Sequence, residues 1–183
     1  MNVIIMAGGA GTRLSNPNKP LIEVCGKPMI MRVIEAVEDL GAVYIATTIR
    51  HSSIIEFARN HGYKALITGG KGYPEDFLEA INRVGIPALI VPADMPFLNK
   101  QLVRKFLIMA AYVMAPMITL MYRRDEILGF TGISLVRRIK LDQGIIPWVS
   151  LVVPWSKELL NINTPSDINT AQEVCENMSQ KVF

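Results

Sequence analysis

Asn2-Val3-Ile4-Ile5-Met6-Ala7-Gly8-Gly9-Ala10-Gly11-Thr12-Arg13-Leu14 is the stretch that decides the fold: an apolar, strand-like run opens directly onto a loop of glycines. Glycines at the carboxyl end of a first parallel strand let the backbone approach a phosphate closely and aim N–H groups at it. Spacing excludes two familiar loops of this kind. A dinucleotide fingerprint begun by Gly9 and Gly11 needs a third glycine where Leu14 stands, and a Walker loop needs a Lys-Ser or Lys-Thr that follows none of these glycines. What remains is a longer loop, continuing through Asn16-Pro17-Asn18 to Lys19-Pro20-Leu21, that holds Arg13 and Lys19 beside the glycines.

Outward from this loop, residues 43–47, 65–68 and 88–92 form further short apolar runs with the character of buried parallel strands. Helical patterns lie between them. The first starts at Pro28 and stops at Gly41, the second fills residues 53–60, and the third begins near Pro74, with Glu75 and Asp76 in its first turn, and ends before Gly85. This alternation predicts an α/β fold with a largely parallel sheet covered on both faces. After Asp94 the spacing predicts a helix to about residue 113, strands around 118–122, 132–136 and 148–153, and a last helix from Pro165. The second half then completes a mixed sheet within one domain over residues 1–183.

Composition narrows the function classes. Hydrophobic residues make up 50% and charged residues 19%, too apolar for a disordered chain, and a net charge of +3 without any Lys/Arg block gives nucleic-acid binding little support. The uncharged stretch 106–122 approaches the length of a membrane span, but Pro116 divides it into a helical half and a strand-like half, so no membrane association is expected. Cys25 and Cys175 lack metal-ligand spacing and predict reduced thiols, and the absence of a leader pattern before residue 2 makes a cytoplasmic location the expectation. The oligomeric state stays open, a homodimer included.

Two further segments carry chemistry. The apolar run 88–92 ends in Ala93-Asp94-Met95-Pro96-Phe97, which sets Asp94 at the carboxyl end of a central strand, where open α/β sheets bind ligands and a carboxylate suits Mg²⁺. Asp94 could equally open a turn before Pro96. In Asn161-Ile162-Asn163-Thr164-Pro165-Ser166-Asp167, the two asparagines sit two apart and share a face of an extended segment, while Thr164, Pro165 and Asp167 have the spacing of a helix cap.

MAGGAGTRL followed by KPL, and then GKP before a helix, resembles the signature of the MobA-like nucleotidyltransferase superfamily, with its three-layer, Rossmann-like fold. The resemblance implies that Ala7, Gly8, Gly9, Gly11 and Thr12 wrap a triphosphate, that Arg13 neutralises the outer phosphates, and that Lys19 sits near the phosphorus under attack. It also implies Mg²⁺ on Asp94, with Asn163 as second ligand and Asn161 as substitute. Gly69-Gly70-Lys71-Gly72-Tyr73-Pro74-Glu75-Asp76 occupies the place of the loop that reads the base, and the string is similar to that of archaeal GTP:adenosylcobinamide-phosphate guanylyltransferases. GTP as donor and a corrinoid phosphate, adenosylcobinamide phosphate, as acceptor are thereby implied. Gly70, Lys71 and Gly72 would lie near the nucleotide and Asp76 would orient it, although Glu75 and Asp76 also fit as ordinary first-turn acids. Trp148 and Trp155 either face the acceptor or pack. His51 and His61 are expected on the surface or at helix ends. Molybdenum-cofactor and sugar-phosphate nucleotidyltransferases share nearly all these motifs, and a noncatalytic GTP-binding module would share the loop alone.

Overall fold

A computed structural model describes residues 1–9, 14, 16–142 and 144–180. Nine strands and five helices are described: β1 (Asn2–Met6), β2 (Glu23–Val24), β3 (Lys27–Pro28), α1 (Met29–Val37), β4 (Val43–Thr48), α2 (Ser52–Asn60), β5 (Lys64–Thr68), α3 (Tyr73–Val84), β6 (Ala88–Pro92), α4 (Lys100–Ala111), β7 (Met117–Arg124), β8 (Ile127–Val136), β9 (Trp148–Pro154) and α5 (Pro165–Gln180). Seven strands form one sheet in the order β5-β4-β1-β6-β8-β7-β9. β8 runs antiparallel to its neighbours β6 and β7, and the other pairings are parallel. The mostly parallel mixed sheet expected from the sequence is therefore present.

Strand alternation splits the sheet's apolar residues between two cores. Val3 and Ile5 of β1 join α1, α2 and α4 on one face, whereas Ile4 packs on the other face with Phe77, Ala80 and Ile81 of α3. In α1 the spacing of Ile30, Val33, Ile34 and Val37 puts all four in the first core. Pro28, expected as the first helical residue, instead closes the β2–β3 hairpin and precedes the helix with an extended backbone. Glu38–Leu40 tightens into a 3-10 turn before Gly41, whose φ of 144° only glycine tolerates easily. Asn99 caps α4 by accepting from the Leu102 N–H at 2.9 Å. That helix ends before Pro116 and β7 follows, and among the described residues no helix is long and apolar enough to cross a membrane.

A third, smaller core was not legible in the sequence. Val24, Met29, Phe97, Leu160, Ile162 and Ala171 join the β2–β3 hairpin, the turn after Asp94, the segment before Asn163 and α5. Cys25 and Cys175 close it with a disulfide, their Cα atoms 5.4 Å apart. This corrects the expectation of reduced thiols. Nothing in the local spacing signals a pairing over 150 residues, because only tertiary packing brings the hairpin tip to α5.

Candidate functional site

In the sheet, β1 lies between β4 and β6, and the chain crosses from one side of β1 to the other when it enters β6. Open α/β sheets form a crevice at the carboxyl ends of strands where the order reverses in this way. A cavity of about 770 Å³ occupies that position, lined by Gly8 and Gly9 after β1, Thr48 at the end of β4 and His51 after it, Gly70, Gly72, Tyr73 and Asp76 after β5, and Asp94 after β6. Lys19 and Asn163 reach it from outside the main sheet.

Distant segments meet at Asp94. Lys19 Nζ donates to Asp94 Oδ2 in a short contact and to Asn163 Oδ1 at 3.1 Å. Backbone bonding sets the segment's place, since the Ile162 N–H donates to the Asp94 carbonyl at 2.9 Å. Asp167 Oδ2 accepts from the Asn163 and Thr164 N–H groups at 2.8 and 2.7 Å and from the Thr164 hydroxyl at 2.9 Å. The pattern expected for a helix cap is present, and the same carboxylate orients Asn163. Asn161 faces elsewhere: its Nδ2 donates to the Thr131 carbonyl at 3.2 Å, and it does not line the cavity.

The other Asp94 oxygen differs from Oδ2 and shares its state with Asn161 Oδ1. Oδ1 is buried and has no hydrogen-bond partner among the described residues. A buried oxygen left in this state costs about 1–3 kcal/mol, which a cation would relieve. No group of three or more His, Cys, Asp or Glu side chains forms a metal cage among the described residues. One carboxylate, one amide oxygen and ligands supplied by a bound substrate and water make a set that suits Mg²⁺, which rarely uses all-protein cages. The residues present fit it.

At the opposite end of the cavity the loop after β5 is held from within. Gly70, at φ 66°, donates its N–H to Asp76 Oδ1 at 2.8 Å, and Asp76 is only 7% exposed. Asp76 holds the first-turn position expected of it and fixes Gly70 from there. Lys71 is exposed and does not line the cavity. Tyr73 is 54% exposed and stacks on Phe77, with ring centroids 5.9 Å apart. Partial burial of its hydroxyl, with the negative charge of Asp94 as a smaller cause, pushes its pKa up to about 12, so it remains a donor at neutral pH.

His51 stands at a helix end, one of the two places expected for it, as the residue before α2, but it is 4% exposed rather than on the surface. Its Nδ1 lies 3.0 Å from Thr48 Oγ1. Burial and, second, the charge of Arg50 hold its pKa below the usual imidazole value. The only sequence sign was Thr48 three residues before His51 at a strand end. His61, as foreseen, is exposed at the end of α2, stacked on Phe57.

Of the site residues read from the sequence, Ala7, Gly8, Gly9, Lys19, Gly70, Gly72, Asp76, Asp94 and Asn163 line the cavity together. Gly11, Thr12 and Arg13 lie outside the described residues. Neither tryptophan lines it. Trp148 is 47% exposed on β9, and Trp155 carries the Arg124 guanidinium 4.6 Å above its ring.

The chain is 34% identical over 110 residues to adenosylcobinamide-phosphate guanylyltransferase of Methanocaldococcus jannaschii, the match spanning 56% of each chain. The chain thus spans little more than half the length of this curated relative. Among solved structures, molybdopterin-guanine dinucleotide biosynthesis protein A from Archaeoglobus fulgidus superposes with a TM-score of 0.71 at 18% identity, over 97% of this chain and 100% of that one. CMP:2-keto-3-deoxy-manno-octonic acid synthetase complexed with CTP does so with a TM-score of 0.70 at 17% identity, over 98% of both chains. At such identities these structures speak to the fold, a three-layer α/β architecture. Residues 3–143 match the MobA-like NTP transferase domain, and the chain belongs to that family.

Proposed function

We propose that this chain is a nucleotidyltransferase that moves GMP from GTP onto adenosylcobinamide phosphate and releases pyrophosphate. The observation that carries the reading is the convergence of Lys19, Asn163 and the half-satisfied Asp94 at the end of β6, in one cavity with the glycines after β1. The likeness to the M. jannaschii guanylyltransferase supports the choice of donor and acceptor.

Both reactants are anionic, so their mutual repulsion dominates the barrier. In the proposed step an acceptor phosphate oxygen forms a bond to the α-phosphorus of GTP while the bond from that phosphorus to the bridging oxygen breaks, and the electron pair leaves with pyrophosphate. The acceptor phosphate is anionic at neutral pH, and no general base is needed. The amides of Gly8 and Gly9 and the ammonium of Lys19 stabilise the charge that develops, with Arg13 assigned to the outer phosphates. Asp94 and Asn163 would hold Mg²⁺, which when bound neutralises and polarises the triphosphate. Asp76, by fixing Gly70, sets the loop against which the base lies.

A pyrophosphate-release assay over the four nucleoside triphosphates, each with a corrinoid phosphate, a molybdopterin and a sugar phosphate, tests the assignment. Turnover is expected with GTP and the corrinoid phosphate, and preference for another acceptor overturns that half of the proposal. In single-turnover transfer, Asp94→Ala and Lys19→Ala are each expected to lose about 10²–10³-fold in rate. Near-normal rates at saturating Mg²⁺ would remove the assigned role.

A further inference from the structure

We propose that Glu79 and Arg83 of α3 are positioning residues for the loop after β5, holding from outside the cavity the backbone that Gly70 presents inside it. Gly69-Gly70-Lys71-Gly72 contains three glycines in four residues. Glycine loses more conformational freedom on ordering than any other residue, so such a loop needs external support to keep one shape. β5 is an outermost strand, and no further strand is there to fix its end. Side chains of α3 fix it instead. Arg83 Nη1 donates to the Ile67 carbonyl at 2.6 Å, the Gly69 N–H donates to Glu79 Oε2 at 2.9 Å, and the Gly70 N–H donates to Asp76 Oδ1 at 2.8 Å. Asp76, Glu79 and Arg83 follow the helical repeat and form a row along one face of α3. The row grips the chain as it leaves the strand and turns at Gly70, whose φ is 66°.

Asp76 lines the cavity, whereas Glu79 and Arg83 lie outside it. Their effect on a ligand is therefore indirect. Glu79 Oε1 is 3.6 Å from Arg83 Nη1, and both side chains are nearly half exposed, so the ion pair by itself stabilises the fold little. Its effect is geometric: Glu79 gives one oxygen to the Gly69 N–H and turns the other toward the guanidinium that holds Ile67. Without that grip the loop would sample several shapes, and a nucleotide that needs one of them binds more weakly in proportion to its population. The loop stands at the opposite end of the cavity from Asp94, so the loss falls on the nucleoside half of the ligand. This inference rests on the cavity's binding a nucleoside triphosphate with its base against the loop, as proposed above, but not on the acceptor.

Equilibrium binding of GTP, guanosine and pyrophosphate, each with Mg²⁺, to wild type, Glu79→Ala, Glu79→Gln and Arg83→Ala separates positioning from general loosening. Gln keeps an oxygen that can accept from the Gly69 N–H. Loss of one hydrogen bond that fixes the competent loop predicts about fivefold weaker binding of GTP and guanosine by Glu79→Ala and Arg83→Ala. Pyrophosphate binding should stay near the wild-type value, and Glu79→Gln should recover most of the loss. In turnover, the two alanine variants should raise KM for GTP more than they lower kcat. Equal losses for GTP and pyrophosphate, no loss in either alanine variant, or no recovery by Gln would each overturn the proposal. If Glu79→Ala fails to fold, the contrast between Arg83→Ala and Glu79→Gln decides by the same criteria. If wild type binds a triphosphate other than GTP, the proposed donor is what fails, and the comparison proceeds with that triphosphate and its nucleoside. If wild type binds none, the proposed function fails and takes this inference with it, an outcome that the wild-type titration alone reveals.

Discussion

Asp94 presents two oxygens in different surroundings, one bonded to Lys19 and the other buried without a partner among the described residues. A cation taken up at the second oxygen links metal binding to stability. Mg²⁺ in the presence of GTP should raise the melting temperature, corresponding to about 2.7 kcal/mol at a hundredfold excess over Kd. Asp94→Ala should fold and lose most of that increment, and an unchanged increment would remove Asp94 from the ligand set. His51 carries a second prediction at this scale. Its pKa is lowered in the folded chain by burial and then by Arg50, while Asp76, Tyr73, Lys19 and Asp94 also border the cavity it lines. The unfolded chain therefore binds a proton that the folded chain resists, and stability rises with pH until about 6.5, the ordinary imidazole value. Urea unfolding should show wild type losing stability relative to His51→Gln between pH 7.5 and 5.5. The opposite sign would contradict a neutral ring.

Among the elements, α5 shows how a helix end can serve a site. Its cap is made by Thr164 and Asp167, and the same Asp167 oxygen binds the Asn163 N–H. Asp167→Ala leaves three donors without their acceptor, so it should destabilise the chain by about 1–2 kcal/mol and also release Asn163 from its place beside Lys19. Calorimetric unfolding and the Mg²⁺ dependence of turnover check the two halves. A stability loss with an unchanged Mg²⁺ requirement would mean that Asn163 is positioned by Lys19 and the backbone alone. In the same way α3 ties its first turn to the preceding loop through Asp76 and Gly70.

At the scale of the whole molecule, the third core and its disulfide hold together the segments that bring Lys19 and Asn163 to Asp94. Closing a loop of 150 residues lowers the entropy of the unfolded chain. The chain-entropy limit is about 5 kcal/mol, with measured effects nearer 2–4. Reduction, or the Cys25→Ser and Cys175→Ser double variant, should lower the midpoint of urea unfolding without changing the central sheet. Hydrogen exchange should rise first in the β2–β3 hairpin and α5. Equal loss of protection in β1 and β6 would show that the third core does not open separately.

The four apolar runs, the helices between them and the cap at Thr164 were legible because each is written in local periodicity, proline and glycine placement, or side-chain spacing. Gly8 and Asp94 were legible from their residue types and their places at strand ends, whereas Lys19 was singled out by the resemblance of its loop to the family signature. Burial of His51, the bond from Gly70 to Asp76 and the pairing of Cys25 with Cys175 were decided only by the tertiary structure. These depend on which strand ends become neighbours when β6 crosses to the far side of β1, and side chains far apart in the chain acquire their partners, and their protonation, from that packing.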